Sequence, residues 1–137
     1  MDQERLTKNG MGSKNAAQRK VFQELGIKAD QCEIEKIQYL TRILYSADSN
    51  GKWAENELDY ILFLKSHLKH LDIDPNPEEV KNVMYLNKAD LSDFIKDQGA
   101  NKFTPWFLLM SQSMLPKWWD NIGDLKPFID EENIIKY

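Results

Sequence analysis

Apolar residues recur at helical spacing over residues 15–25, where Ala16, Ala17, Val21, Phe22 and Leu25 form one stripe. Ser13 stands where an N-cap would, and Gly26 supplies a stop. From residue 34 the pattern changes: "KIQYLTRILY" is rich in β-branched and aromatic residues, "DSNGK" is a turn signal, and "WAENELDYILFL" follows. Residues 34–66 therefore read as a β-hairpin. Farther on, "DIDPNPEEV" is a Pro-broken loop, "VKNVMYL" a strand, and "NKADLSDFIKDQG" a short helix with Asn87 or Asp90 at its start and Gly99 at its end. "FTPWFLLMSQSMLPKWWDN" reads as a helix with Thr104 as N-cap and Pro105 at the first helical position, kinked or interrupted by Pro116.

Within that hairpin, Glu55, Glu57 and Asp59 fall on every second position. On a strand they project from one face, an acidic row running into the chain's own apolar residues.

Composition narrows the function classes. One domain is expected for 137 residues, with 1–12, including the "GMG" of Gly10 to Gly12, as a flexible lead-in. Hydrophobic residues make up 42%, with six Phe and four Trp, which is ample for a core. The net charge of -4 argues against nucleic-acid or membrane-surface binding built on phosphate attraction. No stretch is apolar enough for a membrane span, and "MDQERLTKNG" lacks the apolar centre of a signal peptide. The lone Cys32, read as a half-buried small residue, excludes an internal disulfide and fits a reducing compartment. The expected location is cytoplasmic, with the peroxisome as the alternative.

A rival reading competes for the centre of the chain. "SADSNGKWAENE" fits a calcium-binding EF-hand loop with Asp48, Asn50, Gly51, Trp53 and Glu57 in the matching places. Ile37, Leu40, Ile43 and Leu44 have the helical spacing its flank would need. Against it, Ser46 takes the first position, where a carboxylate is wanted, and no second such loop follows.

Three separated stretches, "NAAQRKVFQELGI", "YLTRILYSADSNGKWAENELDYIL" and "FTPWFLLMSQSMLPKWWDN" with a trailing "FID..NIIKY", resemble the C-terminal two-thirds of type I isopentenyl-diphosphate isomerases. The resemblance covers residues 15–137 and implies an α/β, Nudix-like mixed sheet flanked by helices, without its N-terminal strands. The superfamily's helix signature stands here as Arg19 to Ile27 and keeps one of its acids, Glu24.

The resemblance also implies a chemistry. Isopentenyl diphosphate becomes dimethylallyl diphosphate by protonation of an unactivated alkene and loss of a proton from the adjacent carbon, with a tertiary cation between. Such a site needs a placed acid, a base, a surface that tolerates cationic carbon, and a divalent metal (Mg2+, with Zn2+ or Mn2+ as alternatives at the acidic site) for the diphosphate substrate. By resemblance Glu57 is the alkene acid and a metal ligand, Glu55 a second ligand, and Tyr45 the tyrosine near the acid. Trp106 is the indole that faces the cation, Glu24 a ligand of the magnesium on the diphosphate, and Lys20 a substrate-binding cation where the family often has Arg.

Without the resemblance, the acidic row reads as a solvated strand face, and Glu24 and Lys20 as surface charges. Asp59 keeps a supporting role, Trp118 and Trp119 a core or interface role, and His67 and His70 a surface position. In the family a Cys-Ser-His string and three histidines complete the site, all ahead of the signature helix. The chain thus reads as a truncated or alternatively started isomerase whose activity needs that leading segment. Two further readings stay open: the calcium module, and a non-catalytic remnant that pairs through uncovered apolar surface.

Overall fold

A computed structural model describes residues 11–49, 53–66 and 71–137. Its elements run α1 (Met11–Leu25), β1 (Ile37–Ser49), β2 (Trp53–Leu64), α2 (Lys88–Gln98), α3 (Pro105–Gln112), α4 (Met114–Asp120) and β3 (Ile134–Lys136). The strands form a mixed sheet in the order β2-β1-β3. β3 joins β1 in parallel, with Arg42, Ile43 and Leu44 opposite Ile134, Ile135 and Lys136.

The hairpin expected over residues 34–66 is present, and the helical flanks of the calcium-loop reading are strands instead. Residues 50–52 of its turn, and the leading segment 1–10, lie outside the described residues. Side chains at Ile37, Tyr39, Thr41, Ile43 and Tyr45 alternate along β1, and all five are buried. Leu40 on the opposite face is buried too. A helix at this spacing would have carried several of them into water.

Internal contacts divide the chain into two compact units: Met1–Thr41 with Tyr60–Val83, and Arg42–Asp59 with Met84–Tyr137. In the first, Ile27, Cys32 and Ile37 form a core against which Val21, Leu25, Ile34, Leu62, Leu64, Leu71 and Ile73 pack. Cys32 is fully buried rather than half-buried. Phe22, expected in the apolar stripe of α1, is 56% exposed. Ser13 is not a cap: the helix already includes Met11 and Gly12, and Ser13 is buried within it. Gly26 does end it, at φ 68°, with its N–H on Phe22 O at 2.9 Å. The next unpaired carbonyls, Glu24 O and Leu25 O, accept from Asn76 N–H at 2.9 Å and Asp74 N–H at 2.8 Å. Gln31 secures the same loop by exchanging two hydrogen bonds with Asp72.

In the second unit, Asn87 caps α2 by accepting from Asp90 N–H at 2.9 Å. Thr104 holds the N-cap position of α3, but its side chain makes no capping bond. The expected interruption falls at Ser113, three residues before Pro116. A proline clashes with the carbonyl four residues back, here Gln112, so the helix stops there and restarts. Pro116 then sits in the first turn of α4, where its missing N–H costs nothing. Trp118 is buried as expected, and Trp119 is half-buried. The strand expected over residues 80–86 does not form: the backbone there is irregular, with Val83, Met84 and Tyr85 exposed.

Candidate active site

Each unit holds part of the expected site. In the first, Lys20 and Glu24 lie one turn apart on the same side of α1. Lys20 is exposed and Glu24 half-buried. The carbonyl of Glu24 is pinned by Asn76, so the backbone beneath its carboxylate is fixed by a loop about fifty residues downstream.

In the second unit, Tyr45 lies on the buried face of β1, 6% exposed. Glu55 and Glu57 lie on β2, the neighbouring strand. The side chain of Glu55 is outside the described residues; that of Glu57 is exposed. Along this face of β2 burial deepens by steps, from exposed Glu57 through half-buried Asp59 to buried Ile61. That gradient answers what an acidic row is doing beside the core: the strand dips from solvent into the interior. Asp59 takes the intermediate step badly. One of its carboxylate oxygens is buried with no hydrogen-bond partner among the described residues, and burial pushes its pKa up.

Trp106 is half-buried in the first turn of α3. Its ring meets Phe107 edge-on, with centroids 6.1 Å apart at 90°. Phe107 stacks on Phe103 at 5.9 Å, and Phe103 meets Phe94 of α2 at 6.1 Å and 79°. This aromatic chain fixes the indole, and its signal in the sequence was the "FTPWF" string, whose two Phe residues were given no role.

The donor chemistry suits a divalent cation. Carboxylates two apart on a strand share a face, and hard ions such as magnesium take carboxylate oxygen. Glu57 is accessible and makes no side-chain hydrogen bond or ion pair with the described residues. Among the described residues no three His, Cys, Asp or Glu side chains gather around one point. His67 and His70 are outside them. Burial raises the pKa of the Cys32 thiol, which suits a structural cysteine and not a base.

A cavity of about 270 Å³ opens among α2, α3 and α4, lined by Leu91, Ile95, Leu115, Pro116 and Trp119, with Lys88 and Lys96 beside them. None of the expected site residues lines it. Lys88 is committed to an ion pair with Asp120 of α4.

Comparison with known proteins completes the picture. The chain is 42% identical over 128 residues to isopentenyl-diphosphate Delta-isomerase 1 of Mus musculus, covering 92% of this chain and 55% of that protein. It is 43% identical over 128 residues to the Mesocricetus auratus protein of the same name, with the same coverage. Against isopentenyl-diphosphate Delta-isomerase I of Clarkia breweri it is 42% identical over 141 residues, covering 98% of this chain and 48% of that one. The chain thus spans about half the length of the curated relatives it matches. The family model for the NUDIX domain matches residues 8–107. With most of its length matched, and with a mixed sheet joined by helices, the chain belongs to the Nudix domain family.

Proposed function

We propose that this chain carries the proton-delivering part of an isopentenyl-diphosphate isomerase. The observation that supports this best is the strand placement of Glu55 and Glu57 beside the strand of Tyr45, in a chain about 42% identical to proteins of that name.

Glu57 delivers a proton to the terminal carbon of the substrate's C=C bond. The electron pair of that π bond forms the new C–H bond, and the adjacent carbon becomes a tertiary cation. An exposed glutamate at the shallow end of its strand face reaches a substrate without unfolding anything. Trp106, held edge-on by Phe107, offers its π face to the cation. Tyr45 bears on the acid from the neighbouring strand, its ring locked by burial. Lys20 and Glu24 serve the diphosphate end: Lys20 pairs with its charge, and Glu24 provides an oxygen ligand.

Glu55 and Glu57 on β2 are the residues that would hold one divalent metal, and Glu24 on α1 would be a ligand of the magnesium on the diphosphate. When bound, the metal neutralises diphosphate charge. By the family resemblance, the second proton transfer belongs to a cysteine ahead of the signature helix, so the residues here account for delivery of the first proton.

The test is conversion of isopentenyl diphosphate in D2O with Mg2+, followed by NMR. Two forms are assayed: the chain itself, and the chain joined behind the leading segment of the mouse relative. Dimethylallyl diphosphate carrying deuterium is expected, and Glu57→Gln should lower its rate by at least about a hundredfold. If neither form converts the substrate, the reading fails.

A further inference from the structure

Tyr137, the last residue, has no part in the reading above, yet it is bonded at both ends. Its backbone N–H donates to Leu44 O at 3.0 Å, which carries the parallel pairing of β3 one residue past Lys136 and ends it beside Tyr45. Its phenolic oxygen lies 2.5 Å from Ser113 Oγ, at the short end of the O–H···O range.

The direction of that bond follows from counting protons. Ser113 Oγ also lies 2.7 Å from Leu109 O, a carbonyl that only accepts. A serine hydroxyl has one hydrogen, and it is committed to Leu109. Tyr137 is therefore the donor and Ser113 the acceptor. The relay runs from Tyr137 through Ser113 to Leu109, into the last turn of α3.

This helix begins at Pro105 and Trp106 and has eight residues. It breaks from α4 at Ser113, so no continuous helix stiffens it past that point. The hydroxyl contact sits on the break itself.

We propose that Tyr137 is a positioning residue that holds α3, with Trp106, in a fixed relation to β1, with Tyr45, and so sets where the indole meets the developing cation. The proposal rests on the roles given to Tyr45 and Trp106 above. It explains why three residues of strand at the end of the chain join a sheet whose other strands are four times as long: the pairing delivers Tyr137 to Ser113.

Tyr137→Phe removes one oxygen and keeps the ring and the backbone bond. Ser113→Ala removes the acceptor, and Ser113→Thr keeps it. These variants are made in the chain itself and in the mouse-led fusion, each with 5-fluorotryptophan incorporated. The Trp106 fluorine resonance is assigned with Trp106→Phe. Tyr137→Phe and Ser113→Ala should each lower kcat about tenfold with KM unchanged, since small misplacements of a reacting geometry are costly. Both should shift or broaden the Trp106 resonance, and Ser113→Thr should restore kcat and resonance together. A lower melting temperature with kcat and the Trp106 resonance unmoved would overturn the proposal. If the unsubstituted proteins convert no isopentenyl diphosphate, the functional reading falls and the resonance decides alone: moved in Tyr137→Phe supports the clamp, unmoved overturns it.

Discussion

The main chain of Asp74 passes so close to Gly26 that a side chain on Gly26 would overlap the Asp74 carbonyl and come within 2.9 Å of the Asp74 Cβ. Gly26 is also at φ 68°, a conformation that costs other residues about 1–2 kcal/mol. Strain and overlap add, so Gly26→Ala should destabilise the protein by at least about 2 kcal/mol. The urea midpoint checks this. Because Asp74 and Asn76 bond the last carbonyls of α1, the variant should also speed amide exchange at those two residues.

Asp59 should be a residue whose replacement stabilises. Burial raises its pKa, so its contribution to stability is present below the ordinary carboxylate range and is lost as pH rises through the raised folded value. It is half-buried, and one of its carboxylate oxygens is buried without a partner among the described residues. Asp59→Asn should therefore raise stability by about 1 kcal/mol at pH 7 and give no gain in acid. A melting series from pH 3 to pH 8 reads this directly. A loss of isomerase activity in the same variant would show that the strain serves the neighbouring Glu57.

Asp130 has the opposite sign. Asn133 donates to it from backbone and side chain, and Glu132 from its backbone, all holding its carboxyl below the usual range, with the Arg42 guanidinium a smaller influence. Stability from this turn is present above the ordinary carboxylate pKa and fades as pH falls through the depressed one. Amide exchange at Tyr137, whose N–H donates to Leu44 O, should accelerate in that acid window. Asp130→Ala should show the same fast exchange at neutral pH, because the turn it organises leads into β3.

Two tryptophans should separate packing from chemistry. Trp118 is 1% exposed, and Trp118→Ala should cost about 3–5 kcal/mol of stability. Trp106→Leu leaves a half-buried apolar residue at that place but removes the π face, so it should lower kcat about tenfold or more. Denaturation and turnover measured on both variants should give opposite rankings.

Most helices and the hairpin were legible because their signals are local: period, punctuation and caps lie within a dozen residues. Pro116 even foretold the break between α3 and α4. The misses share a cause, which is pairing between residues far apart in sequence. Residues 80–86 have strand composition, but no described strand bonds them, and a strand without a partner gains nothing from its propensity. β3 was missed for the converse reason: a three-residue segment forms because β1, about ninety residues earlier, offers an edge. Phe22 has the right period yet is exposed, outside the cluster of Ile27, Cys32 and Ile37 that takes in Val21 and Leu25. For the site, residue types and strand placement were readable. Asp59's burial, the aromatic support of Trp106 and the Tyr137 contact were not, because each depends on what folds over it.

Both long strands pass through both compact units, so slippage of the hairpin by one residue would be felt twice. It would turn Ile61 out of the interior in one unit and swing the glutamates of β2 to the wrong surface in the other. A molecule that had mispaired its strands would thus be unstable and chemically blind together. Burial of Ile61 and the facing of Glu57 are thus set by one and the same hairpin register.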